Sequence, residues 1–247
     1  MSQAARAAEA APISIAPLTP TIGAEISGID LSKPMTAGLL AALRQALLDW
    51  KVIFFRDQDI STEEHLAFAR AFGELEVHPF APQKPGYPEV LAITHDRDSK
   101  GRENVWHSDV TWRLCPSLGS VLRALEVPEV GGDTLFSDMY AAYEGLSDEV
   151  KERIDGAVAI HDFAHFRKMM RNRGMSEAEI EEMNRKYPMA EHPVVRTHPE
   201  TGRKGIYVNT AFTQYIVGME RAESDALLAH LYAQAAIPEY QCRFRWQ

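Results

Sequence analysis

The chain has 247 residues, 45% of them hydrophobic and 25% charged, with a formal net charge of −9. That length buries a substantial core without metal or disulfide staples, and the acidic balance argues against a general nucleic-acid binder, which would carry a basic field. No apolar run approaches the ~20 residues that cross a bilayer, and the two cysteines, Cys115 and Cys242, show no metal or redox spacing and fit a reducing compartment; the cytoplasm is the expected location.

Residues 1–12 are Ala-rich but broken by Arg6 and Glu9, too discontinuous for a secretion signal, and read as a disordered arm ahead of one domain spanning 13–247. Over 13–31 apolar and small residues alternate, with breaks at Gly23 and Gly28, which predicts short strands near a sheet edge. Leu39, Leu40, Leu43 and Leu47 recur at helical spacing over 36–50, and the apolar run 52–55 reads as a buried strand. Ser61 and Glu64 form a capping-box pattern that opens a helix carrying Leu66, Phe68, Ala69 and Phe72. Strands are then expected at 90–94, 105–111, 120–127 and 134–137, with a polar loop at 96–103 of the kind that covers an active site. Residues 147–154 read as a short helix and 166–187, charged and Met-rich, as a helical insertion.

Further along, strands at 194–197 and 205–208 are joined by the turn Pro199-Glu200-Thr201-Gly202. A helix over 222–235 sets Leu227, Leu228 and Leu231 on one face. Residues 240–247 alternate like a strand with one buried face. No turn or pairing partner follows them in the sequence, so the chain is expected to continue past Gln247.

Trp106-His107-Ser108-Asp109 carries the most chemistry. On a strand, His-x-Asp turns an imidazole and a carboxylate to one face, two legs of the facial triad that holds iron(II) with open positions. The competing reading is a hydrogen-bonded His and Asp in a strand pair. Gly131-Gly132-Asp133-Thr134 is either a glycine hairpin turn feeding a strand or a turn presenting the Thr134 hydroxyl to a carboxylate. His161 and His165 have a zinc-like spacing without the glutamate and continuous helix that such a site needs. His192 and His198 read as surface or hydrogen-bonded histidines.

Taken in order, several collinear segments resemble the taurine dioxygenase (TauD/TfdA-like) family. They are Ile22-Gly23-Ala24-Glu25-Ile26, Gly28-Ile29-Asp30-Leu31 and Val52-Ile53-Phe54-Phe55-Arg56-Asp57-Gln58, then Phe72-Gly73-Glu74-Leu75, the motif at 106–109 with Val110-Thr111-Trp112, and Gly131 to Thr134. His192-Pro193-Val194-Val195-Arg196-Thr197-His198-Pro199 and Cys242-Arg243-Phe244-Arg245-Trp246 carry the likeness to the end of the chain.

The resemblance implies a mainly β, α+β fold: a double-stranded β-helix, or jelly roll, decorated with helices and here lacking its last strands. It implies a dioxygenase using Fe(II), 2-oxoglutarate and O2 on a small organic anion, an alkylsulfonate or alkyl sulfate ester, with aryloxyalkanoate oxidation as the rival within the family. A metal-free jelly-roll binding protein is the rival from another class. No nucleic-acid or membrane partner is implied, and a homo-oligomer is compatible with it.

By the same resemblance, His107 and Asp109 match two iron ligands and Thr134 the residue that meets the far carboxylate of 2-oxoglutarate. His78, as an imidazolium, matches the histidine that meets a sulfonate, with Ala81 where taurine-specific members have tyrosine. Phe212 matches an apolar wall of the substrate pocket, and Asn104 is expected to line that pocket. The third ligand, a histidine, and the arginine that pairs with 2-oxoglutarate are expected beyond residue 247, so residues 1–247 taken alone are not expected to turn over.

Overall fold

The computed structural model describes residues 13–95 and 104–247; the expected arm over 1–12 and covering loop over 96–103 lie outside the described residues. In chain order the elements are strands Ser14–Pro17 (β1) and Ala24–Ser27 (β2), helix Ala37–Trp50 (α1), strand Ile53–Phe55 (β3) and helix Thr62–Arg70 (α2). Strands Gln83–Lys84 (β4), Tyr87–Leu91 (β5) and Thr134–Ser137 (β6) follow, then helices Met139–Glu144 (α3) and Asp148–Ile154 (α4) and strand Val158–His161 (β7). Helices Ala164–Asn172 (α5) and Glu177–Lys186 (α6) lead to strands Ala190–Pro193 (β8), Val195–Thr197 (β9), Lys204–Ile206 (β10) and Thr213–Ile216 (β11). Helix Arg221–Gln234 (α7) and strand Gln241–Phe244 (β12) complete the set.

The helix starts follow from local hydrogen-bond chemistry. Thr36 accepts from the Leu39 amide, Ser147 accepts from Val150, and Ser61 and Glu64 form the reciprocal capping box, each satisfying donors that a helix cannot pair internally. Residues 166–187 are largely helical, in two pieces, α5 and α6, the second opened by a capping box between Ser176 and Glu179.

The described residues fall into two compact units. The first comprises residues up to 75 together with 121–136 and 241–247. Here β1 pairs antiparallel with β2, and β2 pairs parallel with β3. The amphipathic α1 contributes Leu43 and Ala46 to a core shared with Ile26, Leu31, Ile60 and Phe68. β12 pairs with β6, so the terminal strand has a partner, contrary to the expectation from sequence. The pair packs Phe244 flat on Phe54, with ring centroids 3.8 Å apart, and buries Cys242.

The second unit comprises 76–120 and 137–240. Its central sheet has the order β11-β7-β8, both pairings antiparallel. Leu227, Leu228 and Leu231 of α7 enter the core with Ile154, Ala159, Val194, Ile206 and Ile216, the face anticipated from their spacing. β9 and β10 pair through the turn at 199–202.

Strands and helices thus mix as the jelly-roll resemblance implies, but among the described residues the sheets hold two or three strands each and close no barrel. Two expected strands are absent: 105–111 and 120–127 carry no ladder. Leu118, Leu122, Leu125 and Val127 are exposed, so the apolar alternation there has no buried face to pin a register. The strand expected at 90–94 is β5, three residues earlier.

Gly23 is required where it stands. Its φ is +87°, and a Cβ there would come 2.8 Å from Cys242 Sγ. Gly23→Ala is expected to destabilise the protein by about 1–3 kcal/mol, read as a lower midpoint in urea unfolding.

Candidate active site

The loop that carries His107 and Asp109 reaches the expected juxtaposition by another route than strand alternation. His107 Nε2 lies 3.4 Å from Asp109 Oδ1, although neither residue is in a strand. The chain turns at Val110, whose φ is +48°. A β-branched residue in that region is strained by about 1–3 kcal/mol and persists only where its surroundings fix it. His107 Nδ1 is 2.8 Å from the Val105 carbonyl oxygen, which can only accept, so Nδ1 carries the hydrogen and Nε2 presents a lone pair. That lone pair and a carboxylate oxygen attract each other only across a proton or a cation. An imidazole fixed through its other ring nitrogen on a backbone carbonyl is the arrangement of metal-bound histidines.

Asp109 accepts a hydrogen bond on Oδ2 from Ser120 Oγ at 2.7 Å, which favours its ionised form. A neutral imidazole nitrogen beside an ionised carboxylate is a donor set that fits a divalent iron ion. Among the described residues this pair supplies the donors without a third; no group of three or more His, Cys, Asp or Glu comes together there.

Beside the pair stands an aromatic wall drawn from distant parts of the second unit. Val110, Trp112, Phe163 and Phe212 are buried together, with Phe80, Phe166, Met183 and Tyr187 packed against them. Phe212 is therefore a member of this apolar cluster. Phe166, on α5, lies parallel to Phe212 at 6.5 Å and faces the His78 ring at 6.4 Å. Trp112 Nε1 is buried with no hydrogen-bond partner, a donor left open.

His78 is half-buried beside Phe80 and Trp112. Its Nδ1 accepts from the Phe80 and Ala81 amides at 3.2 and 3.0 Å. Two donors on Nδ1 leave no room for a hydrogen there, and burial pushes the imidazole pKa down against the pull of Glu76. His78 is thus a neutral ring with a single Nε2–H to offer, and the expectation of an imidazolium is corrected on that ground. Asn104 is exposed at the first described position after the 96–103 segment.

Thr134 belongs to the first unit, at the start of β6. Its hydroxyl oxygen accepts from Trp246 Nε1 at 2.9 Å, which leaves the hydroxyl hydrogen to donate elsewhere.

Sequence reasoning overlooked the buried polar group beneath the ligand loop. His161 ends β7 and is 0% exposed. Its Nδ1 is 3.0 Å from Thr111 Oγ1 and its Nε2 3.3 Å from Thr213 Oγ1. The zinc-like spacing to His165 leads nowhere, because His161 ends a strand and His165 is on α5. His192 is buried, its Nε2 2.8 Å from the Arg113 carbonyl oxygen, while His198 Nδ1 accepts from the Glu200 and Thr201 amides in the β9–β10 turn.

A mixed fold of small sheets and capped helices, with a His-x-Asp pair beside an aromatic wall, is the arrangement of a mononuclear non-haem metal oxygenase. Residues 14–247 match the family model described as taurine catabolism dioxygenase TauD, TfdA family, and the chain belongs to that family of Fe(II)- and 2-oxoglutarate-dependent dioxygenases. It is 34% identical over 235 residues to an alkylsulfatase of Acinetobacter baylyi, covering 93% of this chain and 73% of that protein. It is 35% identical over 232 residues to an (S)-phenoxypropionate/α-ketoglutarate-dioxygenase of Sphingobium herbicidovorans, covering 91% and 79%. A crystal structure of a taurine dioxygenase from Burkholderia xenovorans superposes with a TM-score of 0.79 at 37% identity, over 95% of this chain and 76% of that one. Among the described residues no helix is long and apolar enough to cross a membrane.

Burial, and then the neighbouring His192, push His161 down from the ordinary 6.5 to about 4. A histidine whose folded-state pKa lies below its unfolded value contributes stability above the unfolded value, and that stability is lost as pH falls toward the folded one. Unfolding free energy should therefore drop by about 3 kcal/mol between roughly pH 6.5 and 4 on account of this group. Urea titrations across that range should show the component in the wild type and not in His161→Asn.

Proposed function

We propose that the full-length enzyme hydroxylates a small organic anion at the carbon bearing a sulfonate or sulfate ester, with His107 and Asp109 as two of the iron ligands. The observation that carries this reading is the His107 Nε2–Asp109 Oδ1 approach of 3.4 Å, with Nδ1 tied to a backbone carbonyl. When bound, iron(II) with 2-oxoglutarate and O2 supplies the oxidising chemistry, releasing succinate and CO2 and delivering one oxygen atom to a substrate C–H bond. The hydroxylated carbon then loses its sulfur group: the C–S or C–O bond to it breaks, the hydroxyl proton departs, and an aldehyde forms with sulfite or sulfate.

The protein's own residues bind and orient. Ser120 holds Asp109 in its ionised form. The Thr134 hydroxyl, its oxygen taken by Trp246, donates to the far carboxylate of 2-oxoglutarate. His78 donates its Nε2–H to the anionic head group as a neutral partner, so recognition there is a hydrogen bond rather than an ion pair. Phe212 and Phe166 flank the carbon chain and exclude water, and Asn104 lines the entrance. Ala81, where taurine-specific members have tyrosine, leaves space for a substrate bulkier than taurine. The aromatic wall also suits an aryl group, which favours an aryloxyalkanoate as the second reading. Small anions, not nucleic acids or membranes, are the partners of such a pocket, and the cytoplasm is the proposed location.

Replacing His107 with Ala should abolish metal-dependent succinate formation while leaving the circular dichroism spectrum intact; unchanged turnover would remove His107 from the ligand set. His78→Ala should raise KM for sulfonates or sulfate esters roughly tenfold, the size of one hydrogen bond to a charged group, and spare kcat. Uncoupled 2-oxoglutarate decay should change little. A panel of taurine, longer alkylsulfonates, alkyl sulfates and aryloxyalkanoates, followed by succinate release, decides the substrate class; turnover of the last alone would overturn the sulfur assignment and leave the dioxygenase.

A further inference from the structure

We infer that His161 is a positioning residue: through the Thr111 hydroxyl it holds the turn at Val110 that sets Asp109 beside His107. The inference rests on the reading of His107 and Asp109 as metal ligands, and goes beyond it to a residue that touches neither metal nor substrate.

The need for such a residue follows from the backbone. Val110, with φ +48°, sits where a valine relaxes to negative φ unless its surroundings pin it. Towards the N-terminus the turn is open: Asp109 and His107 are exposed. The anchor therefore has to come from the other side. Thr111 is 1% exposed, and its hydroxyl meets two partners at 3.0 Å, Asn209 Nδ2 and His161 Nδ1.

The direction of each bond is settled by its neighbours. Asn209 Oδ1 accepts from the Ala211 and Phe212 amides, so the amide cannot be reversed and its nitrogen donates to Thr111 Oγ1. The Thr111 hydroxyl hydrogen is then directed at His161 Nδ1, and His161 Nε2–H donates to Thr213 Oγ1 at 3.3 Å. Thr213 Oγ1 also accepts the Asn209 amide at 2.9 Å. The ring itself cannot swing: it is enclosed by His192 at 5.1 Å and Tyr207 at 6.1 Å, on the middle strand of the β11-β7-β8 sheet. A rigid strand end thus fixes a buried hydroxyl, and the hydroxyl fixes the turn. A second tie, Thr210 Oγ1 donating to the Trp106 carbonyl at 3.0 Å, joins the same 209–213 segment to the other end of the ligand motif.

A histidine that merely satisfies the core would, when replaced, lower stability and leave the metal affinity of the folded protein alone. A positioning residue lowers that affinity, and the loss is repaired by whatever restores the Thr111 bond or removes the strain. The test is Co(II) titration of the full chain, followed by calorimetry and by the visible d–d bands, at a temperature where circular dichroism shows each variant folded. His107→Ala establishes that the site being titrated is this one. His161→Leu should weaken Co(II) about tenfold or more, the range seen when the outer partners of metal ligands are removed. His161→Asn, whose amide reaches the position of Nδ1, should stay within about threefold of the wild type. Val110→Gly, free to adopt positive φ, should recover most of the loss in the His161→Leu background. Should His161→Leu not fold, Thr111→Val removes the same bond and is expected to give the same loss. Wild-type affinity in folded His161→Leu or Thr111→Val, or a loss that neither His161→Asn nor Val110→Gly repairs, overturns the inference while the ligand assignment stands. Unchanged Co(II) binding in His107→Ala overturns the ligand assignment and the inference together.

Discussion

The constraint on which the second unit's site depends is the burial of one hydroxyl. Thr111 is buried, so its hydroxyl must be satisfied from within, and the bonds that do so join it to His161 at the end of β7 and to Asn209. That bond set determines where the chain leaves the core on its way back through Val110 to Asp109. It also seats Phe212, because the Asn209 side chain that donates to Thr111 caps the Phe212 amide. The 107–109 loop and the apolar cluster are thereby held by one small group of neutral side chains. Neutrality matters, since a charge at His161, enclosed as it is, would cost several times what a hydrogen bond returns.

The two compact units divide the labour by chemistry. The first, with its aromatic stack of Phe54 on Phe244 and the guanidinium of Arg56 4.0 Å above Phe244, builds a firm platform for β6 and β12. Thr134 and Trp246 stand on that platform, and the indole N–H directs the hydroxyl. The second unit contributes His107, Asp109, His78 and the aromatic wall.

Much of this was legible in the sequence where the signal was local. Ser61 announces its helix because a cap is a bond within three residues of itself, and the leucines of α1 and α7 declare their buried faces by period alone. The proposed ligand pair was singled out by residue type, and its approach has a different cause from the strand alternation expected. His107 and Asp109 meet because the chain turns at a left-handed valine, and nothing about a valine announces that conformation. The aromatic wall was not legible beyond Phe212, since Phe80, Trp112, Phe163 and Tyr187 are far apart in the chain and share no period. β12 seemed partnerless because its partner, β6, lies more than a hundred residues earlier.

Strain at Val110 and exposure at Asp109 are best understood together. In its proposed role as a metal ligand Asp109 must be reachable, so it cannot be locked by packing around its own side chain; it keeps one bond to Ser120 and otherwise faces outward. Its position is instead imposed through the backbone from a buried neighbour two residues on. A glycine at 110 would adopt the same turn without strain and would need no buried anchor to reach it. Valine restricts the turn to one geometry, provided that Thr111 is held, and packs its side chain into the wall with Trp112 and Phe212. The strain energy is the cost of a ligand that is rigid without being buried.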